Sequence, residues 1–396
     1  MQRLRQVPRN DWPARLAEVG FHFHSIDAQG RDQPPDPTRF RYWREDAAFK
    51  FDAAQIETLY EAANELHAMC VDAVDDAVRA GDPSVFAVPP DAWPLVESSW
   101  RAREPSLFGR FDLAWDGTGA PRMLEYNADT PTSLVESSLA QWQWVTQTHP
   151  GADQFNGLHE ALIERWGELL EWHRARPGAG AAAPLLHLAC LFESQEDVGN
   201  TEYLMDLAVQ AGWQAKILDV GAIGVDDAGQ FCDAESRTID TLFKLYPWEW
   251  LVREAFAAQL HASQTCWIEP PWKMLLSNKA MLAVLWARHA GHPNLLPTYR
   301  DATSLEGRAH VVKPLYSREG ANVRIVRPGE ADVSTEGPYG AEGFVWQALA
   351  ALPVFDGLTP VLGVWVVGDE AKGLGIREDR GPVTLDTSAF IPHYFY

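Results

Sequence analysis

The sequence predicts an α/β unit in the middle of the chain and a β-rich α+β lobe at its end. An apolar strand at residues 185–192 is followed by a capped helix at about 201–211 and by a second strand at 215–220. This order is typical of two parallel strands in a covered sheet. From about residue 310 the pattern changes to short strands separated by glycine turns, at residues 310–315, 322–326, 343–348, 361–367 and 383–391.

Length, composition and charge indicate a folded protein of two or three units. The chain has 396 residues, of which 46% are hydrophobic and 22% are charged, both close to the globular average. Its 55 acidic residues against 33 basic ones give a net charge of −22. Such a field repels the phosphates of nucleic acids and attracts cations such as polyamines or metal ions. We therefore expect no nucleic-acid partner, and the oligomeric state stays open.

The sequence gives no sign of a membrane segment. Its N-terminal residues carry positive charge, but the apolar stretch of a secretory signal does not follow them. No run of 18 apolar residues occurs anywhere in the chain. We therefore expect a cytoplasmic protein without a membrane partner.

Two amphipathic helices are predicted before the α/β unit. Asp52 and Gln55 form a capping-box variant at the start of the first helix. Apolar residues then recur at helical spacing, at positions 56, 59, 63, 66, 69 and 73 in the first helix and at 158, 162, 166 and 169 in the second. The Gly, Ala and Pro residues of 176–184 predict a linker after the second helix.

The densest polar pattern lies in residues 108–129, where two alternating segments flank a turn rich in Gly and Pro. This pattern predicts a β-hairpin. If the turn is centred on residues 118 and 119, Asp112 lies opposite Glu125. Arg110 then lies opposite Asn127, and because alternate residues of a strand share a face, all four side chains project from the same side.

Two functions fit this polar face. Two carboxylates, an amide oxygen and a guanidinium suit Mg²⁺ and a reacting phosphoryl group or oxyanion. The same residues also suit a solvated face with an ordinary cross-strand salt bridge. The pattern alone does not separate the two.

Further basic residues occur in segments whose local structure could hold phosphates. Lys279 is the last residue of segment 272–279, which is typical of the start of a helix. Lys313 lies on an apolar strand that breaks into a polar, Gly-containing turn with Arg318. A turn of this kind can cover phosphates while a lysine on the strand below binds them. A lysine extending from the interior towards solvent is the alternative for Lys313. Arg377 lies in the Gly-rich segment 373–379, and neither a Walker A pattern nor G-x-G-x-x-G occurs.

Taken together, five unusual segments in order along the chain resemble the glutathionylspermidine synthase family. They are residues 108–136 (FGRFDLAWDGTGAPRMLEYNADTPTSLVE), 243–251 (FKLYPWEWL), 267–280 (WIEPPWKMLLSNKA), 312–323 (VKPLYSREGANV) and 373–379 (GLGIRED). The resemblance implies an ATP-grasp fold in permuted order with a Rossmann-like pre-ATP-grasp β-α-β subdomain. Residues 1–396 would then form one unit, with N-terminal helices and the metal-site hairpin in 1–175, the α/β subdomain in 184–265 and a nucleotide-binding lobe with its lid loop in 266–396.

The resemblance also implies roles for individual residues. The Mg²⁺ ligands of the family correspond to Asp112, Glu125 and Asn127, and the arginine at the reacting centre corresponds to Arg110. The ATP-binding residues of the family correspond to Lys279, Lys313, Arg318 in the lid loop, Gln347 beside the adenine and Arg377. The hydroxyls that contact the thiol-peptide substrate correspond to Thr130 and Thr132.

The implied reaction is activation of a carboxylate by ATP to an acyl phosphate, followed by attack of an amine to give an amide, ADP and phosphate. Better-known members of the family have serines where this chain has Thr130 and Thr132, and Pro131 stiffens the segment, so glutathione is not assigned as the acid. A fused amidase domain has no room in 396 residues, and reversal of the ligation is not expected.

The amine has a candidate site in the acidic stretch 193–197, which follows the first strand of the α/β unit. Ligands of open α/β sheets bind at this end of the strands, so a polyamine could contact Glu196 and Asp197. A solvated cluster at a helix start, favoured by the helix dipole, is the alternative.

Two other functions compete with the ligase. One is an ATP-binding sensor or scaffold without turnover, and the other is a kinase that stops at phosphoryl transfer. Arg110 together with three metal ligands favours the ligase, because a protein that only binds ATP has little need of a group at the reacting centre.

Overall fold

The structure is a computed structural model that describes residues 1–25, 42–176, 184–385 and 387–396. Residues 177–183, which make up most of the predicted linker, lie outside the described residues. The architecture is a mixed α/β fold with several sheets.

The strands, numbered in chain order, are β1 (Gln2–Arg5), β2 (Ala47–Phe51), β3 (Phe108–Ala114), β4 (Arg122–Asn127), β5 (Leu185–Cys190), β6 (Gln214–Asp219), β7 (Gly224–Val225), β8 (Phe231–Cys232), β9 (Thr241–Lys244), β10 (Cys266–Ile268), β11 (Thr298–Tyr299), β12 (His310–Pro314), β13 (Arg324–Val326), β14 (Val333–Ser334), β15 (Phe344–Ala348), β16 (Thr359–Val367), β17 (Glu370–Asp379), β18 (Ala389–Phe390) and β19 (His393–Phe395).

The α-helices are α1 (Trp12–Glu18), α2 (Ala53–Ala80), α3 (Trp93–Arg101), α4 (Gln141–Thr148), α5 (Leu158–Arg174), α6 (Gln195–Gln210), α7 (Trp248–Leu251), α8 (Gln259–Ala262), α9 (Lys273–Leu276) and α10 (Ala280–Arg288). A π-helical segment, Glu136–Ala140, leads directly into α4. Within the described ranges, no helix is long and apolar enough to cross a membrane.

Three sheets build the part of the molecule that contains the polar hairpin. The hairpin strands β3 and β4 form one edge of a sheet with the order β18-β17-β16-β3-β4. A parallel sheet has the order β10-β9-β5-β6, and an antiparallel sheet has the order β11-β15-β12-β13-β14. The hairpin therefore shares its sheet with strands that lie about 250 residues later in the chain, and β10 extends the parallel sheet beyond residue 265.

The predicted helices and the parallel pair are confirmed. Asp52 accepts a hydrogen bond from the backbone N–H of Gln55, whose side chain in turn accepts one from the backbone N–H of Asp52, which completes the capping box of α2. The apolar stripe of this helix faces the core, where Leu59 and Leu66 are fully buried. Strands β5 and β6 pair in parallel, as predicted. Helix α6 begins at Gln195 rather than near residue 201, because the side chain of Ser194 caps it.

The β-rich lobe differs from its prediction at two places. The strand predicted at 322–326 begins only at Arg324, because Asn322 has a φ of 55°, which belongs to a turn. In the strand predicted at 383–391, only β18 is a strand among the residues that the structure describes, and residue 386 lies outside them. Instead, the Gly-rich segment 373–379 belongs to the ten-residue strand β17, whose glycines allow close approach: a Cβ at Gly375 would lie 2.5 Å from Oγ of Ser137.

A buried ion pair joins the end of the hairpin to the parallel sheet. The ammonium group of Lys244 lies 2.6 Å from Oδ1 of Asp129, and the backbone N–H of Trp248 donates to Oδ2 of the same carboxylate at 2.8 Å. Both charged side chains are almost fully buried. Asp129 thereby fixes the segment after β4 against the turn between β9 and α7.

We expect Asp129→Ala to lower the free energy of unfolding by about 3–5 kcal/mol, because it leaves the Lys244 ammonium buried without its partner. Urea unfolding followed by tryptophan fluorescence measures this change. Asp227→Ala, which removes an exposed carboxylate, is the control and should change stability by less than about 0.5 kcal/mol. Equal effects of the two substitutions would contradict the structural role of the ion pair.

Candidate functional site

One cleft of about 400 Å³ gathers every residue that the sequence predicted for the site. It lies where the hairpin, the antiparallel sheet β11–β15 and the start of α6 meet. The predicted residues that line it are Arg110, Asp112, Glu125, Asn127, Thr130, Thr132, Glu196, Asp197, Lys279, Lys313, Arg318, Gln347 and Arg377.

The hairpin has the predicted register. Asp112 pairs with Glu125 and Arg110 pairs with Asn127, and a β-bulge follows immediately after Asp112. The guanidinium of Arg110 forms a two-pronged contact with Asp112, in which Nε donates to Oδ1 at 2.7 Å and Nη2 donates to Oδ2 at 3.1 Å. Nη1 of Arg110 donates to the carbonyl of Thr132 at 2.7 Å. This fork fixes the position of Arg110 at the base of the cleft.

Three oxygen-bearing side chains of the hairpin lie close together. Nδ2 of Asn127 lies 3.2 Å from Oδ2 of Asp112 and 3.4 Å from Oε1 of Glu125, so all three side chains converge on one point of the face. In the part of the chain that the structure describes, no group of three His, Cys, Asp or Glu side chains could hold a metal ion. This site offers two carboxylates and an amide, which suits Mg²⁺ because that ion keeps several positions for water and phosphate.

Two lysines from other sheets and helices face the same carboxylates. Nζ of Lys279, just before α10, lies 3.1 Å from Oε2 of Glu125 and donates to the carbonyl of Ser317 at 2.9 Å. Nζ of Lys313, on β12, donates to the carbonyl of Leu124 at 2.8 Å. Residues that are far apart in the sequence are thus brought to one side of the hairpin.

The charges of this group are strongly interdependent. Burial disfavours the charged form of Glu125, but Lys279 and Lys313 outweigh it and lower the pKa of Glu125 to about 2. Burial lowers the pKa of Lys313 to about 8, although Glu125 acts in the opposite direction. A concentration of ammonium groups around few carboxylates leaves positive charge available for an anionic ligand.

The loop after β12 contacts two walls of the cleft. The guanidinium of Arg318 donates to the hydroxyl of Thr130, and its Nε lies 3.8 Å from a carboxylate oxygen of Glu249. The guanidinium also lies over the ring of Trp250, 5.8 Å from the ring centroid. The loop therefore contacts the segment that follows β4 and helix α7 on the opposite wall of the cleft.

The close approach of this loop to the segment before β18 requires a glycine. Gly320 has a φ of +70°, and a Cβ at this position would lie 2.6 Å from Cγ1 of Val383 and 2.7 Å from the carbonyl oxygen of Thr384. We expect Gly320→Ala to displace the loop, because the added methyl group would overlap Val383 and Thr384, and to lower kcat/KM for ATP about tenfold, a cost of about 1.4 kcal/mol. Steady-state kinetics measures it.

Gly329→Ala is a matched control for this prediction. Gly329 also has a positive φ, +84°, but no heavy atom among the described residues lies within 4 Å of the position that the added methyl group would take. The two substitutions therefore share the backbone strain and differ in the steric contact with the cleft segment. Equal kinetics for both variants would show that the loop contact does not matter for activity.

Gln347 and Arg377 line the cleft at separate walls. Gln347, on β15, is buried and donates through Nε2 to the carbonyl of Met123 at 3.3 Å. Arg377, on β17, donates to the carbonyl of Leu385 at 3.4 Å. The cleft lining also includes three apolar residues. Val311 and Ile325 lie on β12 and β13 of the sheet that carries Gln347, and Leu349 directly follows β15.

The remaining predicted residues form a more acidic end of the cleft. Thr130 and Thr132 lie in the segment after β4, and Glu196 and Asp197 lie in the first turn of α6. Burial raises the pKa of Glu196, and burial together with Glu196 raises the pKa of Asp197 to about 7. This end is therefore suited to a cationic group or to the release of a proton.

Two residues of the cleft, one acidic and one aromatic, were not singled out from the sequence. Glu249 and Trp250 lie on the short helix α7 and contact Arg318. Burial raises the pKa of Glu249, with Arg318 acting against it. Both residues belong to the quoted segment 243–251, but a single Glu between two tryptophans carries no pattern of its own.

Comparisons with known proteins identify the family of this chain. Residues 3–396 match the family model described as glutathionylspermidine synthase preATP-grasp. A Haemophilus influenzae protein to which acid–amine ligase activity is ascribed is 41% identical over 408 residues, covering 100% of both chains. The bifunctional glutathionylspermidine synthetase/amidase of Escherichia coli is 28% identical over 85% of this chain and 57% of its own length. Trypanothione synthetase of Crithidia fasciculata is 25% identical over 84% of this chain and 55% of its own length.

The chain thus spans little more than half the length of the last two relatives. A solved structure with a similar fold is a glutathione synthetase-like effector of Globodera pallida in its apo form, with a TM-score of 0.57 and 12% identity over 99% of this chain and 100% of the other. At that identity the likeness concerns the fold alone. The match of the family model to almost every residue, together with the relative that aligns over its full length, shows that this chain belongs to the glutathionylspermidine synthase preATP-grasp family.

Proposed function

We propose that this protein joins a small peptide or amino-acid-like carboxylate to an amine or polyamine, with ATP consumed through an acyl-phosphate intermediate. Membership of the family makes the chain an ATP-dependent carbon–nitrogen ligase. The proposal adds the substrate classes, the intermediate and the roles of individual residues. It also includes a cytoplasmic location and a permuted ATP-grasp arrangement of the sheets.

The observation that carries the proposal is the gathering of opposite charges in one cleft. Arg110, Lys279 and Lys313 come from three separate parts of the sequence and converge on the carboxylates of the hairpin. ATP-dependent ligation requires such a set, because positive groups must offset the charge of the phosphates and of the developing oxyanion.

Asp112, Glu125 and Asn127 would hold Mg²⁺, which neutralises phosphate charge when it is bound. The ammonium groups of Lys279 and Lys313 would hold the phosphates of ATP. Arg110, fixed by its two contacts with Asp112, would direct its guanidinium at the carboxylate that becomes activated. The loop with Arg318 would exclude water from the hydrolysable intermediate.

Three regions of the chain divide this work in the proposal. Residues 1–175 supply the metal-site hairpin, residues 184–265 supply the pre-ATP-grasp-like wall, and residues 266–396 supply the nucleotide-binding lobe with its lid loop. Gln347 would contact the adenine, and Arg377 would contact a phosphate. The apolar residues of the same sheet that line the cleft support this, because an adenine ring requires a hydrophobic slot with few polar groups.

The two substrates would occupy the end of the cleft near α6. The hydroxyls of Thr130 and Thr132 would contact the acid, and the carboxylates of Glu196 and Asp197 would contact the amine. The threonines differ from the serines of better-known relatives, so glutathione remains one acid among several to be tested. The acidic wall favours an amine that carries a positive charge in addition to the nitrogen that reacts.

A coupled assay of ADP release tests the proposal. Peptides and amino acids should be crossed with polyamines and amino acids as the two substrates, and products should be identified by mass spectrometry. We expect ADP release that requires both an acid and an amine, together with an amide product. Nucleotide binding without ADP release would favour a sensor or scaffold, and a stable phosphorylated acid without amide would favour a kinase.

A further inference from the structure

Arg110 lies against strand β16, which leaves space for its side chain. Asp112 pairs with Gly363 on β16, and Arg110 pairs with Trp365 two residues further along that strand. A Cβ at Gly363 would lie 2.8 Å from Cδ of Arg110, so the absence of a side chain there leaves room for the arginine. The guanidinium carbon lies 5.7 Å from the centroid of the Trp365 ring, a distance typical of a cation–π contact.

The indole of Trp365 is itself held by the π-helical segment Glu136–Ala140. Its Nε1 donates to Oγ of Ser137 at 3.0 Å. The hydroxyl of Ser137 in turn donates to the carbonyl of Ser133 at 2.6 Å. All three residues are buried, where a polar group that loses its hydrogen-bond partner is costly. These bonds lead from the indole beside the guanidinium back to the segment that follows β4.

The contacts close on themselves at Thr132. Its carbonyl accepts a hydrogen bond from Nη1 of Arg110 at 2.7 Å, and the next residue is Ser133. Each member of this closed set thus touches or directly follows the one before it. We call the set the Arg110 network, and its members are Arg110, Thr132, Ser133, Ser137 and Trp365.

The backbone of the network is held in an uncommon conformation. Ser133 has a φ of 71°, in the left-handed region that residues with a side chain seldom adopt. The hydroxyl of Tyr42 lies 2.9 Å from Oγ of Ser133, while the hydroxyl of Ser137 holds its carbonyl. Strained backbone that surrounding groups keep in place is concentrated at functional sites. The conformation at Ser133 therefore points to a role for the network beyond packing.

We propose that Ser137 and Trp365 are positioning residues, which direct the guanidinium of Arg110 at the carboxylate of the acid substrate. The inference rests on the proposed function, because it assumes that Arg110 acts on that carboxylate. The network joins Arg110 to the segment whose Thr130 and Thr132 hydroxyls would contact the acid. Ser137 and Trp365 act through Arg110 and this segment, from behind the wall of the cleft.

Loss of the Ser137 hydroxyl should reduce the rate of the reaction rather than the binding of ATP. Without it, the indole N–H of Trp365 and the carbonyl of Ser133 each lose a partner, and the guanidinium can shift. A displacement of about 1 Å can lower the rate about 100-fold. We expect Ser137→Ala to lower kcat about 10–100-fold. KM for ATP should stay nearly unchanged, because Lys279 and Lys313 lie outside the network.

A double-mutant cycle tests the inference. Ser137→Ala, Arg110→Ala and the double variant are compared with the wild type in amine-dependent ADP release. If Ser137 acts through Arg110, its loss should change kcat less than about twofold once Arg110 is absent. Ser138→Ala is the matched control, because Ser138 is also buried and its hydroxyl also donates four residues back, to the carbonyl of Leu134 at 2.8 Å. Ser138 lies outside the network, so this variant should keep near wild-type kcat.

Trp365→Phe provides a second test of the same inference. Phenylalanine keeps an aromatic face beside the guanidinium but lacks the indole N–H that binds Ser137. We expect a lower kcat, an unchanged KM for ATP and little further loss when Arg110 is already replaced by Ala. Wild-type kcat in Trp365→Phe would overturn the role of this indole.

The outcomes separate this inference from the proposed function. In an active wild type, an equal loss of kcat from Ser137→Ala with and without Arg110 overturns the inference, and so do equal effects of Ser137→Ala and Ser138→Ala. The ligase assignment would stand in both cases. A wild type that releases no ADP with any pair of acid and amine would instead refute the proposed function, and the positioning role would fall with it.

Discussion

Replacing Arg110 by Ala is expected to lower kcat for amine-dependent ADP release by about two to three orders of magnitude. The guanidinium is buried and fixed by Asp112 and the carbonyl of Thr132. In the proposed mechanism this guanidinium is therefore preorganised for charge that develops on the substrate carboxylate. Because Lys279 and Lys313, which we propose to bind the phosphates, are unchanged, KM for ATP should change much less than kcat. Steady-state kinetics at saturating amine measures both quantities.

Two variants show whether this loss comes from Arg110 itself. Arg110→Lys keeps the charge but cannot bind Asp112 through two nitrogens, so we expect it to recover only a small part of the activity. Arg122→Ala removes an exposed arginine of the same hairpin that does not line the cleft, and it should keep near wild-type kcat. Full activity of Arg110→Ala would remove the assigned role.

The hairpin was predictable because its geometry is local. The alternation of residues on either side of a Gly-rich turn fixes which side chains share a face, and the register of Asp112 with Glu125 agrees with that prediction. The partners of the hairpin were not predictable in this way. Strand β16 pairs with β3 across about 250 residues, and no local pattern encodes such a contact.

The prediction that Lys279 and Lys313 belong to one site came from the family resemblance and not from a local pattern. A lysine on an apolar strand can face a site or extend to solvent, and only its tertiary neighbours decide between the two. Glu136 shows the limit most clearly. This carboxylate is fully buried, although the sequence around it resembles an ordinary polar helix start.

The secondary-structure errors have similar causes. Helix α6 begins about six residues before its prediction because one side chain, Ser194, caps it there. The strand predicted at 383–391 is largely replaced by the earlier strand β17, in which neighbouring side chains leave no room for a Cβ at the glycines. Helix caps and steric limits of this kind depend on details of atomic contact that the hydrophobic pattern does not carry.

Replacing Lys313 by Met is expected to raise KM for ATP about 10–100-fold, because a charge-assisted hydrogen bond to a phosphate contributes about 1.5–3 kcal/mol. Lys279→Met should have an effect of the same order. In the free protein each substitution also removes one of the two ammonium groups that keep Glu125 ionised. The loss of a phosphate contact and the weaker attraction of Glu125 therefore both lower the affinity for ATP. Titration with a fluorescent ATP analogue measures the affinity directly.

Lys372→Met is the matched control for the two lysine variants. Lys372 lies on β17, as Arg377 does, but its ammonium group pairs with Glu370 at 2.7 Å and does not line the cleft. Its loss should leave the affinity for ATP unchanged. Lys313→Arg should keep much of the affinity, since the positive charge is retained. Wild-type affinity in both Lys279→Met and Lys313→Met would mean that the nucleotide binds elsewhere, and the cleft would then lose its assignment as the ATP site.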